Sequence, residues 1–503
     1  MGTTGSASFP PPRWQWTHEE ISELGQAAAE LIAGHLAGMP QRPVFQPFPA
    51  GKAAQLRAEP VPSRGTDPAA ILAEIATTVL AYPFGNGHPR FWGWVNSPPH
   101  PVGVAASALA AALNPSVAGG NHAAVHLEHQ VVRWFTELAG FGAAASGLLT
   151  SGASAATITA LAIARQVAAQ AAGVDLRADG LAGSGLRLVL YTGTESHSCA
   201  QKAAELLGVG SRNVTVIGSD AHWRMDPAGL DVRLRADRSA GRTPMAVVAT
   251  VGSVSTGAID PIGAIADVCA EHGVWLHLDG AYGAPPVLLL DQFAGLRRAV
   301  ARADSLALDP HKWLYVPVDA GLLLLADGQL ARDTFSLVPP YLRTDGDENG
   351  IAGPPWFSEF GLEQTRPFRA LKVWASLKYF GLDGYRALIG NDLDLAAGLA
   401  RQVGAADDLE LLAAGLSICC FRVRRPGLTG PQTDELNRAV LAELQLGGEV
   451  FVTGTTVGDA FGLRACFINP GTGQDDITAA VSLISATGTR LARQLHFSQD
   501  SSK

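Results

Sequence analysis

The chain has 503 residues, which is enough for two or three domains with substantial buried cores. Hydrophobic residues make up 47% and charged residues 17%, so the composition is that of a globular protein and excludes a largely disordered one. The net charge of −9 gives no overall attraction to nucleic acid or to an anionic membrane, and neither is expected as a partner.

The cysteine pattern and the apolar runs indicate the compartment. The five cysteines have no C-x-x-C spacing and are odd in number, which favours buried free thiols; no metal site is expected. The first residues lack the basic and apolar segments of a secretory signal. Apolar runs such as Leu322–Leu325 are far too short to span a bilayer. We therefore expect a soluble, cytoplasmic protein.

The first part of the chain is predicted to be helical with long irregular stretches. Residues 1–15 are rich in Gly, Ser, Thr and Pro and predict a loose arm. A helix with a capping box is predicted from Thr17 to about Ala37, and a second capped helix from Asp67 to about Ala81. The proline-interrupted stretch Pro40–Pro62 is predicted to be extended, and the aromatic, proline-rich residues 88–99 to form a loop.

From about Val125 the pattern changes to strands that alternate with helices such as Ala155–Ala172. This alternation predicts an α/β fold with a mostly parallel sheet, and such sheets bind ligands at the carboxyl ends of their strands. The predicted strands are Leu186–Tyr191, Val214–Ile217, Ala246–Val251, Val274–Leu278, Ser305–Leu308 and Gly321–Leu325.

A smaller α+β unit is predicted after a long helix around Phe368–Phe380. Residues 1–124 are thus expected to form an N-terminal arm and helical segment, 125–385 a large α/β domain, and 386–503 a small C-terminal domain. The elements predicted in the last part are helices Asn391–Val403 and Thr433–Leu444 and strands Gly415–Arg424 and Gly462–Phe467.

A lysine and an aspartate follow two of the predicted buried strands. Lys312 lies in Asp309-Pro310-His311-Lys312-Trp313, and Asp279 ends the strand before Gly280. Partial desolvation beside Trp313 would favour a neutral, nucleophilic amine, and an aspartate can hold a pyridine nitrogen protonated. The alternatives are a lysine paired with a surface carboxylate and an aspartate that caps a turn.

Two further features lie at strand ends of the same predicted sheet. His197 follows the first of the predicted strands and could stack on a flat cofactor ring, although a structural histidine would look the same. The residues 150–154, Thr-Ser-Gly-Ala-Ser, open a helix whose N-terminus could bind a phosphate; an ordinary serine cap is the alternative. Together with the lysine and the aspartate, these features predict a site for pyridoxal 5′-phosphate.

These residues resemble the group II pyridoxal-phosphate-dependent amino-acid decarboxylases, the family of aromatic-amino-acid, histidine and glutamate decarboxylases. The similarity runs from about His88 to Tyr379, and its most specific motifs are 310–313, Pro-His-Lys-Trp, and 196–198, Ser-His-Ser. The resemblance implies the fold type I, or aspartate-aminotransferase-like, architecture of these enzymes. It also implies a homodimer in which the N-terminal helices embrace the partner.

The resemblance also assigns roles to residues of the site. Lys312 would carry the internal aldimine, with His311 beside it, while Asp279 would bind the pyridine nitrogen and His197 would stack on the ring. The expected contacts of the phosphate region are Ser151, Gly152, Ala153, Ser154 and Asp309. A pocket for the substrate side chain would be bordered by Trp92, Trp94, Asn96, Ser97 and His100.

A mobile loop of the family carries a tyrosine that protonates the intermediate across the dimer interface after carbon dioxide has left. Tyr341 is the matching residue, and the Gly- and Asp-rich residues 344–350 that follow fit a flexible lid. In relatives that oxidise their amines to aldehydes, phenylalanine replaces this tyrosine. A purely structural Tyr341 in a surface loop is the alternative.

Three positions depart from the aromatic-amino-acid enzymes. Asp309 stands where they have an asparagine near the phosphate, and Val254 replaces a threonine near the cofactor. Residues Asn114–Ser116 replace apolar residues that help to bind aromatic substrates from the partner subunit. The cofactor prediction survives these differences, but they leave the substrate open.

The function predicted from the sequence is decarboxylation of an L-amino acid, with an aromatic or bulky side chain, to its amine and carbon dioxide through a Lys312 aldimine. An aldehyde synthase, a transaminase or another lyase that uses the same cofactor is an alternative. A catalytically silent homologue with a binding role is a further one, and it would lack the yellow chromophore of the bound cofactor.

Overall fold

The computed structural model describes residues 14–337 and 350–500, with side chains to residue 494. The N-terminal part of the chain contains four α-helices: α1 (His18–Gly38), α2 (Ala50–Ala58), α3 (Pro68–Glu74) and α4 (Pro101–Leu113). The capping box of Thr17 is confirmed, and the helix at Asp67 continues after α3 as a π-helix, Ile75–Val79.

The prediction that the whole stretch Pro40–Pro62 is extended is wrong, because α2 lies within it. Pro49 is the N-cap of α2, and its nine residues contain no proline and several good helix formers. The flanking prolines thus limit the helix but do not prevent it. The predicted loop 88–99 is confirmed, since it contains no helix or extended strand.

The large sheet has seven strands in the order β1-β7-β6-β5-β4-β2-β3. All neighbouring strands are parallel except β7, which is antiparallel to both β1 and β6, so the predicted mostly parallel sheet is confirmed. The strands are β1 (Ser146–Thr150), β2 (Leu188–Gly193), β3 (Val214–Ile217), β4 (Thr243–Thr250), β5 (Trp275–Asp279), β6 (Ser305–Leu308) and β7 (Gly321–Leu325).

Helices cover this sheet and connect its strands. The longest of them in this part, α6, packs across β4, β5, β6 and β7 and opens directly after β1. The helices are α5 (Ala123–Ala139), α6 (Ala153–Ala171), α7 (Leu176–Asp179), α8 (Cys199–Leu206), α9 (Pro227–Ser239), α10 (Ile262–His272), α11 (Ala284–Leu289), α12 (Ala294–Val300) and α13 (Gln329–Phe335).

A long helix, α14 (Ala370–Ala405), leads to the smaller C-terminal unit. It contains both of the helices predicted around 368–380 and 391–403, with one non-helical residue at Gly381, where φ is 63°. A four-stranded antiparallel sheet follows in the order β10-β11-β9-β8, which confirms the predicted α+β character. Its elements are β8 (Leu409–Gly415), β9 (Ile418–Val423), α15 (Gly430–Gly447), β10 (Thr453–Val457), β11 (Ala460–Cys466) and α16 (Gln474–Asp500).

All five cysteines are buried and free, as the sequence predicted. Among the helices of residues 14–337 and 350–500, none combines the length and the apolarity needed to cross a membrane. The division of the chain at residues 124/125 and 385/386 stays a prediction, and α14 runs without interruption through the second of these boundaries.

Candidate active site

A cavity of about 390 Å³ lies at the carboxyl ends of the parallel strands, beside the N-terminus of α6. Its volume falls in the range of roughly 300–1,000 Å³ that is usual for small-molecule sites. Eight of the polar residues that line it come from four separate segments of the chain: Ser151, Ser154, Glu195, His197, Asp279, Asp309, His311 and Lys312. The parallel strands therefore gather most of the residues that the sequence predicted.

Lys312 lies in the turn that follows β6, and its side chain is 25% exposed, so the expected desolvation is only partial. Its Nζ atom is 2.9 Å from Oδ2 of Asp309, which is itself almost fully buried. The backbone closes the turn, because the N–H of Lys312 donates to the carbonyl of Asp309 at 2.9 Å. The amine is thus held inside the cavity by the carboxylate three residues before it.

Asp279 is the last residue of β5 and is buried, with 7% of its surface exposed. Its Oδ1 atom accepts a hydrogen bond from the N–H of Ala281 at 3.1 Å. The thiol of Cys199 lies 3.8 Å from Oδ2, and burial raises the pKa of that thiol to about 12, so it is protonated and acts as a donor. These two contacts fix the orientation of the carboxylate in the lining of the cavity.

His197 lies between β2 and α8 and is exposed to the cavity. Its Nδ1 atom accepts a hydrogen bond from the N–H of Cys199 at 3.2 Å, so the ring proton of the neutral form is on Nε2. Ligand-type atoms of His197, Cys199 and Asp279 lie within 4.8 Å of one another. The protonated thiol among them is a poor metal ligand, because the thiolate is the form that binds metals.

The loop between β1 and α6 presents the helix N-terminus to the cavity. Gly152, at the N-cap of α6, has no side chain to cap the helix, and Ser151 and Ser154 on either side of it are exposed. The first amides of a helix have no partner within the helix and carry its positive end. One of them, the N–H of Ala153, donates to Oδ1 of Asp309 at 2.6 Å.

Gly321, at the start of β7, leaves room for this loop because it has no side chain. A Cβ atom on Gly321 would lie 2.3 Å from Cα of Gly152, far inside van der Waals contact. We expect Gly321→Ala to displace the loop and to weaken pyridoxal phosphate binding about tenfold, with a loss of stability of about 2 kcal/mol. Equilibrium dialysis and urea unfolding measure the two effects.

The control for Gly321→Ala is Gly142→Ala, because a Cβ atom at Gly142 meets nothing within 4 Å. The control variant should bind the cofactor and unfold like the wild type. Cofactor affinity that is unchanged in Gly321→Ala would show that the loop tolerates the displacement.

His311 is held by the backbone on two sides. Its Nδ1 atom accepts from the N–H of Ala320 at 3.0 Å, and its carbonyl accepts from Oγ of Ser97 at 3.2 Å. Burial lowers the pKa of His311, against the opposing effect of Asp309, so the neutral ring with its proton on Nε2 is favoured. His311 lines the cavity, and its Nε2 atom is 3.7 Å from Oδ2 of Asp309.

A group of buried side chains that the sequence did not predict supports the turn that contains Lys312. Trp313 and Tyr315 both donate to Oδ2 of Asp392 on α14, at 2.8 and 2.6 Å. The indole of Trp313 also stacks on the ring of Tyr282, with 4.9 Å between the ring centroids. No spacing in the sequence relates position 392 to position 313, so only the fold could show this contact.

Asp392 makes stability depend on pH. Burial raises the pKa of its carboxyl from 3.8 to about 7, so its stabilising contribution is complete below pH 4 and is lost as pH rises through 7. Between pH 5 and pH 8 we expect the free energy of unfolding to fall by about 2 kcal/mol more in the wild type than in Asp392→Asn. Chemical denaturation at both pH values measures it, and equal pH dependence of the two proteins would refute it.

The structure does not bring the residues of the predicted substrate pocket into the lining of the cavity. Trp92 does not border the cavity, because it is 1% exposed in the core of the C-terminal unit, where it packs against Phe467. His100 is turned towards Ser376 on α14, with Nε2 2.7 Å from its Oγ. Trp94 and Asn96 are exposed outside the cavity, and Ser97 supports His311 from behind.

Several residues of the cavity wall were not predicted as site residues. They include Val95, Glu195, Cys199, Thr250, Tyr282 and Val318, and the signal that Thr250 offered in the sequence was its place at the end of a strand. Val254, one of the positions that differ from the aromatic-amino-acid enzymes, also lines the cavity. Asn114 lines a separate cavity of about 230 Å³ with Arg369 and Lys372. Tyr341 and the predicted lid residues 344–349 lie outside the described residues.

The wall around Val254 is held from the C-terminal unit by Arg464 of β11. This residue is 3% exposed; its Nε donates to the carbonyl of Val254 at 2.6 Å and its Nη1 to that of Trp94 at 2.8 Å. Both carbonyls belong to segments that line the cavity or adjoin it. One residue thus joins three distant parts of the chain.

The donor set of the cavity fits pyridoxal phosphate. A primary amine for the aldehyde, a buried carboxylate for the pyridine nitrogen, an exposed imidazole and the N-terminus of α6 for the phosphate surround one space. The fold and this set of residues define a pyridoxal-phosphate enzyme of the α/β class.

Comparisons with known proteins define the family. The model of the pyridoxal-dependent decarboxylase conserved domain matches residues 51–424. The chain is 32% identical over 476 residues to an aromatic-L-amino-acid decarboxylase of Bacillus atrophaeus, covering 94% of this chain and 96% of the relative. The chain therefore belongs to the pyridoxal-phosphate-dependent amino-acid decarboxylases, which are carboxy-lyases.

Two further relatives show the breadth of this similarity. An L-2,4-diaminobutyrate decarboxylase of Rhizobium meliloti is 31% identical over 439 residues, covering 86% of this chain and 84% of the relative. The crystal structure of Oryza sativa TDC with PLP and tryptamine superposes with a TM-score of 0.87 at 26% identity, covering 95% of this chain and all of that one. The predicted fold class, cofactor and enzyme class are confirmed.

Proposed function

We propose that this protein decarboxylates an L-amino acid with an aromatic or bulky side chain to the corresponding amine. The observation that carries the proposal is the composition of the cavity wall, which includes Val95, Val254, Val318 and Tyr282 besides the polar groups. Among the described residues that line the cavity there is no arginine, so a distal carboxylate on the substrate would have no cationic partner there.

The positions of the polar residues support the following roles. When bound, the cofactor supplies an electron sink for the bond that is broken at Cα. Lys312 would hold the cofactor's aldehyde and later release the product, while Asp279 would keep the pyridine nitrogen protonated and His197 would cover the ring face. His311 carries a proton on Nε2 within the cavity, and Tyr341 is the second candidate that could return a proton to Cα.

A basic substrate is a second candidate, because Glu195 lines the same cavity. Its carboxyl is partly buried, and burial raises its pKa. A cationic side chain on the substrate would pair with the carboxyl of Glu195. One relative is a decarboxylase of L-2,4-diaminobutyrate.

One panel separates these proposals. The purified holoenzyme is incubated with L-tryptophan, L-tyrosine, L-phenylalanine, L-2,4-diaminobutyrate and L-glutamate, and amine, aldehyde, hydrogen peroxide and ammonia are quantified. Amine from an aromatic substrate in at least tenfold preference supports the first proposal, and preference for diaminobutyrate supports the second. Aldehyde with peroxide as the main products would make the protein an aldehyde synthase.

Tyr341→Phe tests the proton donor. If Tyr341 returns the proton, the variant should lose about 10²-fold in amine formation and divert part of the substrate to aldehyde. Product analysis by chromatography measures both yields. An unchanged yield of amine would leave His311 as the donor.

We also propose that the protein is a homodimer formed through α1. None of the 21 residues of α1 is buried, and Ile21 and Ile32 are 59% and 42% exposed. The apolar side of α1 borders a groove of about 840 Å³ against α4, which a second copy of this helical segment would fill. Light scattering after gel filtration should give twice the chain mass, and a fully active monomer would contradict the cross-subunit role of Tyr341.

A further inference from the structure

Asp309 contacts both the N-terminus of α6 and the amine of Lys312. Its side chain is 4% exposed, and Oδ1 accepts a hydrogen bond from the N–H of Ala153, a first-turn amide of α6, at 2.6 Å. Its other oxygen, Oδ2, is 2.9 Å from Nζ of Lys312. The positive end of α6 and the amine of the cavity are therefore both bound by one buried carboxylate.

We propose that Asp309 competes with the phosphate of pyridoxal phosphate for the N-terminus of α6 and so weakens the binding of the cofactor. A phosphate monoester carries a charge of about −1.5 to −2 at pH 7. Bound at α6, it would share a helix end with a second anion, and like charges at close range in a partly desolvated site repel strongly.

The other charges of the cavity do not cancel this repulsion. Lys312 is the one lysine among the described lining residues, and it already pairs with Asp309. Glu195 and Asp279 are further acidic residues of the lining. The N–H of Ala153 has one proton to donate, so the phosphate gains this donor only if Asp309 releases it. The repulsion depends on the charge of Asp309, whereas competition for the N–H of Ala153 remains with any hydrogen-bond acceptor at this position.

The variant Asp309→Asn separates charge from shape. Its amide oxygen can still accept from Ala153, while the negative charge is removed. The apoprotein is titrated with pyridoxal phosphate and, separately, with pyridoxal, which has no phosphate, and dissociation constants are read from equilibrium dialysis. We expect Asp309→Asn to bind pyridoxal phosphate about tenfold more tightly and to bind pyridoxal within twofold of the wild type.

The matched control is Glu195→Gln, which removes the same charge from another wall of the same cavity. It should change pyridoxal phosphate affinity by less than threefold. Circular dichroism and thermal unfolding verify that each variant is folded, and Asp309→Ser provides a second uncharged variant if the asparagine protein does not fold.

Three results would overturn the proposal. The first is that folded Asp309→Asn or Asp309→Ser binds pyridoxal phosphate no more tightly than the wild type, which would show that the carboxylate does not oppose the phosphate. Pyridoxal could gain as much affinity as its phosphate, which would place the effect at Lys312. An equal gain in Glu195→Gln would show a general effect of charge. Each result concerns the cofactor alone and is independent of which amino acid is the substrate.

Discussion

Replacing Lys312 with alanine is expected to abolish amine formation and the yellow, covalently bound form of the cofactor. The variant removes the primary amine of the cavity and its ion pair with Asp309, at 2.9 Å, while Asp279, His197 and the N-terminus of α6 remain. Loss of the residue that carries a covalent intermediate costs at least about 10³-fold in rate. Absorbance spectra after dialysis and amine quantification measure the two effects.

The control for this variant is Lys202→Ala, which removes an exposed lysine of α8 outside the cavity. It should retain the spectrum and the rate of the wild type. Borohydride reduction followed by peptide mapping identifies the modified lysine directly. Full activity in Lys312→Ala, or a label on another lysine, would end the proposed role of Lys312.

The second large effect is expected from Asp279→Asn. The amide matches the carboxylate in size but cannot provide the negative charge that favours a protonated pyridine nitrogen. Because Asp279 is 7% exposed at the end of β5, no other carboxylate replaces it without a movement of the strand. We expect the turnover number to fall about 10²- to 10³-fold, in the range seen when one preorganised electrostatic partner of the reacting system is removed.

Cofactor spectra distinguish a catalytic effect of Asp279→Asn from a structural one. If the variant keeps its bound cofactor and unfolds like the wild type, the loss of turnover is due to the lost interaction of Asp279 with the pyridine nitrogen. The control Asp267→Asn changes an aspartate of α10 whose side chain is 71% exposed, and it should be fully active. Turnover of Asp279→Asn within threefold of the wild type would contradict the assigned role.

The sequence predicted those parts of the fold that local pattern determines. Strands such as Val214–Ile217 and Ser305–Leu308 were predicted with the observed bounds, because short apolar runs bounded by polar residues specify them. The strand β1 was not predicted, since it begins with Ser146-Gly147 and offers only three strongly apolar or β-branched residues. Its close packing against β7, which the chain reaches about 170 residues later, depends on the fold as a whole.

The same distinction separates the predicted and the unpredicted parts of the site. Lys312, Asp279 and His197 follow strands, and a parallel sheet brings such positions to one edge whatever the details of packing. Trp92 was misassigned because an aromatic loop residue can face a ligand or a core equally well, and here it completes the core of the C-terminal unit. The contact of Asp309 with Ala153 joins positions 156 residues apart and had no local signal.

The hydrogen bonds of Arg464 bear on how this chain can be shortened. The family model ends at residue 424, but the guanidinium that holds the carbonyls of Val254 and Trp94 lies 40 residues beyond that point. A fragment cut at the end of the matched region would keep Lys312, Asp279 and His197 and yet leave two segments at the cavity without their common anchor. The smallest autonomous catalytic unit of this protein is therefore larger than its most recognisable part.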